Sequence, residues 1–204
     1  EINGDFKSSN FIGDTIFSNL KLTAKERSGL ALKNLTADVK LTPQGMFFNN
    51  LDISLNRSTI RNYFSMSYDD ISDMGDFIHK VKMSANFEDS YVDSDDIAFF
   101  APALRSWKKE IKLEGKVKGT VDDIAGRDMI IQAGNNTLLN GNISMTGLPD
   151  INQTFIDFKS NEFRTTYSDA TSIVPALRKV TNPDLRKIQY VNFKGSFTGL
   201  FVTL

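Results

Sequence analysis

The sequence holds no cysteine, a single histidine and a single tryptophan. Without cysteine there are no disulfides, no thiolate nucleophile and no thiolate zinc site, although this selects neither cytoplasm nor periplasm. His79 stands between Ile78 and Lys80, ahead of a strand pattern. With no second histidine or cysteine to join it in a metal site or a triad, it reads as a surface residue. No apolar run approaches the roughly 18 to 20 residues of a membrane-spanning helix, and no charged-then-apolar signal segment stands at the start. Neither sign of charge is in excess. The 24 Lys and Arg face 25 Asp and Glu, interspersed along the chain, so no basic track for nucleic acid is present.

Catalytic patterns are equally scarce. Serines are many, but no Gly-x-Ser-x-Gly elbow occurs. The acidic pairs Asp69 and Asp70, Asp95 and Asp96, and Asp122 and Asp123 lack the alternating ligand spacing of a calcium loop and read as turn formers and helix caps. Gly134, Asn135 and Asn136 resemble a phosphate cradle in composition alone, because no helix pattern follows, and they read as a hairpin turn. No enzymatic activity, metal or cofactor is expected.

What the 204 residues do contain is enough apolar content, 40%, for a substantial core, arranged with a period of two. Leu35, Ala37, Val39 and Leu41 alternate with polar residues, "TPQG" (Thr42 to Gly45) supplies a reversal, and Leu51, Ile53 and Leu55 resume the alternation, as in an antiparallel hairpin. Further strands are expected over 64–68, 81–87, 111–121, 129–133, 139–145, 156–158 and 191–201. Two segments depart from this pattern: "DDIAFFAPALR" (Asp95 to Arg105) and "SDATSIVPALR" (Ser168 to Arg178), which end alike 73 positions apart. In the first, Ile97, Phe100, Ala101, Leu104 and Trp107 have helical spacing, with Ser94 or Asp95 as cap. Pro102 and Pro175 predict short turns or a kink. Each segment leads into a glycine-marked strand, "LEGKVKG" (Leu113 to Gly119) and "FKGSFTG" (Phe193 to Gly199), and the second copy carries an inserted "TNPDL". The repeated strand, helix and glycine-strand units lie at about 78–121 and 154–204 of one β-rich domain.

The stretches "TPQGMFFNNLDI", "FAPAL", "LEGKVKGTV", "NNTLLNGNISMTGLPD", "FIDF" and "FRTTYSD" resemble the AsmA-like and TamB-like envelope proteins of Gram-negative bacteria, from about Leu30 onward. The resemblance implies an internal segment of a long periplasmic protein anchored in the inner membrane, consistent with a start at Glu1. It also implies a curved, taco-like antiparallel β-sheet groove with an apolar inside, serving lipid transport or outer-membrane protein assembly. The expected fold is therefore mainly β with two short helical insertions. Leu113, Val117, Leu139, Ile143, Met145, Phe193 and Phe197 are the candidate groove residues, and Phe100, Leu104, Trp107, Ile173 and Leu177 the helical residues covering it. Gly115, Gly119, Gly141, Gly195 and Gly199 are structural, through sheet curvature or close approach of a helix. Two functions are in play. The groove shelters or conducts phospholipid or other acyl chains between membranes, or the chain is a structural, protein-binding β-module that assists outer-membrane protein translocation and assembly, with an outer-membrane assembly protein as partner.

Overall fold

The computed structural model describes residues 1–27, 29–99, 108–150, 153–173 and 175–200. These form eleven strands: β1 (Ile2–Ile12), β2 (Thr15–Lys25), β3 (Ala31–Thr42), β4 (Gly45–Ser54), β5 (Thr59–Ser67), β6 (Lys82–Asp93), β7 (Glu110–Gly119), β8 (Asp123–Ala133), β9 (Thr137–Thr146), β10 (Phe155–Thr166) and β11 (Tyr190–Leu200). Strand order in the sheet equals chain order, and every neighbouring pair is antiparallel. The result is one open, curved, antiparallel sheet with short helical insertions. β1 and β11 are its two edges.

Alternation places one face of each strand inward. At the N-terminal half that face packs on itself: Ala37, Val39 and Leu51 are buried, with Leu20, Leu35, Leu41, Phe48, Ile53 and Phe64 against them. The Phe48 and Phe64 rings lie 6.3 Å apart. The other face carries polar ladders, such as Asp38 accepting from the side-chain amides of Asn19 on β2 and Asn50 on β4, and the Arg61–Asp52 pair at 3.2 Å. Strands with one wet and one dry face read as clean alternation, which explains why most were visible in the sequence.

β1 carries a bulge between Lys7 and Asn10, and from β4 onward every second strand breaks the alternation at that same level of the sheet. β4, β6, β8 and β10 each carry an extra residue, so that the register shifts between Phe48 and Leu51, Phe87 and Ser90, Gly126 and Met129, and Ser160 and Phe163. Asn50, Asp89 and Asp128, each 39 positions after the last, sit at these bulges with φ of 50°, 43° and 52°. Asn and Asp tolerate this left-handed conformation better than other non-glycine residues. The bulges also explain why β8 and β10 were expected too short, as 129–133 and 156–158, since the alternation changes phase inside each.

Three further differences from the sequence reading stand out. β1 and β2 were not foreseen; in β2, Ser18 interrupts the apolar alternation of Ile16, Leu20 and Leu22. A third helical insertion joins β5 to β6: a 3-10 turn (Ile71–Asp76) with an Asp70 capping box, followed by α1 (Phe77–Lys80). The cap of α2 (Ser94–Ile97) is Asp93, whose carboxylate accepts from the Asp95 amide, rather than Ser94 or Asp95. Phe100, Leu104 and Trp107 lie outside the described residues. The second insertion forms α3 (Tyr167–Ile173) and then a 3-10 turn that begins at Pro175, as proline requires, with another at Leu185–Lys187.

Both expected insertions are fastened in the same way. Asp96 is 2% exposed and accepts from the amides of Arg57 (2.8 Å) and Ser58 (2.7 Å) in the β4–β5 turn. Asp169, in the matching position 73 residues on, accepts from the Asn136 amide (2.6 Å) in the β8–β9 turn. One acid per insertion thus holds the turn of the preceding hairpin.

The surroundings of the glycines supply a reason of their own. A Cβ on Gly115 (φ +121°) would stand 2.8 Å from the Asp128 carbonyl oxygen and from Met129 Sδ, and one on Gly141 would collide with the Lys159 carbonyl. Gly119 (φ +136°) faces the Asp123 carbonyl in the same manner, and Gly195 (φ +155°) faces the Phe193 ring at 3.0 Å. The nearest described atoms at Gly115 and Gly195 belong to strands, not to a docked helix. Gly115 and Gly141 are small because a bulged neighbour presses its backbone toward them.

Candidate functional site

Register assembles the apolar face into rows running across the strands. Val117, Gly126, Ile143, Phe158 and Phe197 form one row, and Leu113, Ile131, Leu139, Phe163 and Phe193 another. Between them, on the last three strands, lies a row of small residues, Gly141, Ser160 and Gly195. Two apolar ridges separated by small side chains make a furrow along the long axis of the sheet. At β9 to β11 this furrow is a cavity of about 620 Å³ lined by Leu139, Ile143, Ile156, Phe158, Phe163, Val191, Phe193 and Phe197. Its volume falls in the range of small-molecule sites, roughly 300–1,000 Å³.

The β10 bulge makes this site possible. Phe158 and Phe163 are five residues apart, a spacing that would send them to opposite faces of a regular strand. The extra residue restores them to one face, where their rings meet edge to face at 6.5 Å and 83°. Ser160, 3% exposed, sits between them and donates to the Phe193 carbonyl at 3.4 Å, so no unpaired hydroxyl faces the furrow.

Of the expected groove residues, Leu139, Ile143, Phe193 and Phe197 come together in this cavity. Val117, Leu113 and Met145 share the face but lie outside the cavity: Val117 and Leu113 are on β7, two strands from it, and Met145 pairs with Ile156. Sequence reasoning missed Ile156, Phe158, Phe163 and Val191 as lining residues. The signal for Phe163 was there in the phase change of "FIDFKSNEF". Leu177 lines a smaller cavity of about 220 Å³, with Tyr167, Ala170, Leu185 and Ile188, that shares Phe163 and Val191 with the groove. The second insertion therefore abuts one end of the groove. Ile173 is half-buried at the end of α3 and lines neither cavity.

The polar candidates are engaged elsewhere. Asp70 caps its 3-10 turn through the Ser72 amide (2.8 Å), and hydrogen bonds from Ser72 hold its carboxyl below the usual range. Asp122 accepts from the Thr120 hydroxyl and Asp123 from that of Thr146. Among the described residues no cluster of His, Asp and Glu is placed to hold a metal, and no helix is long and apolar enough to cross a membrane.

His79 Nδ1 lies 2.6 Å from Asp76 Oδ1 at the surface, and that hydrogen bond, then the charges of Asp76 and Asp122, raise its pKa above the ordinary 6.5. The pair's contribution to stability is fully present below the unfolded value and is lost as pH rises through the raised folded value. Because the chain has one histidine, a proton NMR titration isolates it. The midpoint is expected above 6.5 and should return toward it in Asp76→Asn; an unchanged midpoint in that variant would show the pair does not form in solution.

Comparison of the chain with protein-family models, with curated proteins and with solved structures finds no match.

Proposed function

We propose that this chain is a non-enzymatic, lipid-handling segment of a periplasmic envelope protein anchored in the inner membrane, whose β-groove shelters or conducts acyl chains between the two membranes. The observation that carries this reading is the cavity at β9 to β11, lined by eight apolar side chains and left uncovered by any second sheet among the described residues. Phe197 is 58% exposed on its rim. An open, wholly apolar lining on a folded chain supports reading it as a binding surface. Each acyl methylene buried there contributes about 0.8 kcal/mol, so a handful of them offsets the cost of ordering the tail.

Native mass spectrometry of the purified protein is expected to show a co-purifying phospholipid or fatty acid. An acyl photo-crosslinker should label Phe158, Phe163 and Phe197. Phe158→Asp puts a charge on one wall of the furrow and should weaken acyl binding at least tenfold, whereas Lys116→Ala on the outer face should leave it unchanged. Equal binding by both variants would rule out the groove as the site.

A second reading rests on β11, the outermost strand among the described residues at that side of the sheet, which would add a strand from an outer-membrane assembly protein. Tyr190 and Leu200 at its ends are 54% and 60% exposed. Protection of β11 amides from hydrogen exchange by such a protein, with acyl binding absent, would favour this reading over the first.

A further inference from the structure

We propose that the occupant of the groove is an anionic phospholipid held in one direction, with its tails in the furrow and its headgroup on the basic strap formed by residues 175–188. This rests on the acyl-binding reading above. The 620 Å³ groove and the 220 Å³ cavity share Phe163 and Val191, so the apolar surface continues beneath the strap. The strap contributes Leu177, Leu185 and Ile188 to that continuation. Each leucine is followed at once by two cations: Arg178 and Lys179 after Leu177, and Arg186 and Lys187 after Leu185. All four are exposed.

Charge along the chain is far from even at this point. Leu177 to Leu200 holds five Lys or Arg and one Asp, a balance of +4, whereas the whole chain stands at −1, which leaves −5 for the rest. The one acid, Asp184, is bound to Arg186 at 2.8 and 3.1 Å. Arg178, Lys179 and Lys187 have no carboxylate partner among the described residues. A strap whose Leu177, Leu185 and Ile188 line the cavity and whose neighbouring cations are exposed, set at the end of an apolar furrow, matches a molecule with a long apolar tail and a negative head. A neutral tail-bearing molecule would leave these cations unused, and a soluble phosphate would leave the furrow empty.

The test compares phosphatidylglycerol and phosphatidylcholine carrying the same fluorescent tail, titrated into the 204-residue protein. Phosphatidylglycerol is expected to bind at least tenfold more tightly at low ionic strength, with the gap narrowing as salt screens the contact. Combined Arg178→Glu, Lys179→Glu and Lys187→Glu should reduce the preference to within twofold and keep phosphatidylcholine binding, while Phe158→Asp should weaken both lipids. Equal binding of both lipids to the unmodified protein would overturn the headgroup assignment and leave the groove reading standing. Failure to bind either would overturn both. A dimer by light scattering that neither lipid dissociates would also overturn the proposal, by making a second copy the occupant. Should the charge variant fail to fold, the lipid and salt comparison on the unmodified protein decides alone.

Discussion

Gly141→Ala is expected to destabilise the sheet by about 3 kcal/mol, the upper end of what an added core methyl costs. The new Cβ would collide with the Lys159 carbonyl and approach Ser160 Cα to 3.0 Å. Neither is the tip of a side chain that can swing aside. Relief requires β9 and β10 to separate at the bulge and lose ladder hydrogen bonds there. Gly119→Ala meets the Asp123 carbonyl and adds the strain of φ +136°, worth roughly another 1–3 kcal/mol. Gly199→Ala, by contrast, meets the Phe197 ring at 3.3 Å, where a small rotation suffices, and should change stability little. Urea unfolding followed by circular dichroism ranks the three. Equal loss at Gly141 and Gly199 would mean that backbone contact is not what fixes these positions.

Asp96→Ala is the second large effect, about 3 kcal/mol. The buried carboxylate satisfies two amides of the β4–β5 turn, and its removal strands both without a partner, at roughly 1–3 kcal/mol each less whatever water recovers. Asp96→Asn keeps an acceptor and should recover much of the loss. Asp169→Ala in the equivalent position removes one such bond at a partly exposed site and should cost about 1 kcal/mol. Hydrogen exchange at Arg57 and Ser58 reports the effect locally. If those amides stay protected in Asp96→Ala, the carboxylate is not what holds the turn.

The fold was legible where one strand face is wet and the other dry. Leu35 to Leu41 and Leu51 to Leu55 needed only their alternation and the reversal between them. The two insertions were legible because their Pro-Ala-Leu-Arg ends repeat, and the quoted strings already aligned Asp96 with Asp169, although nothing in a sequence says that a carboxylate will reach back to a turn. The site was half legible. Leu139, Ile143, Phe193 and Phe197 sit on unbulged strands, where period two holds from end to end. Phe158 and Phe163 sit on either side of a bulge, and counting by twos assigns them to opposite faces. The glycines were recognised as structural, but at Gly115, Gly119 and Gly141 the close contact is the backbone of a neighbouring strand, which a single strand's sequence does not contain.

The bulges on alternate strands carry a consequence for how such a sheet grows. From β4 to β10, bulged and regular strands take turns, and each pair advances the sheet by about 9.6 Å at the usual strand spacing. Adding or removing a whole pair keeps every bulge beside a regular strand, keeps the furrow at one level and keeps the later connections at their own ends. Adding a single strand does none of these. The length of the trough is therefore counted in hairpins, with Asn50, Asp89 and Asp128 as the graduations of the ruler.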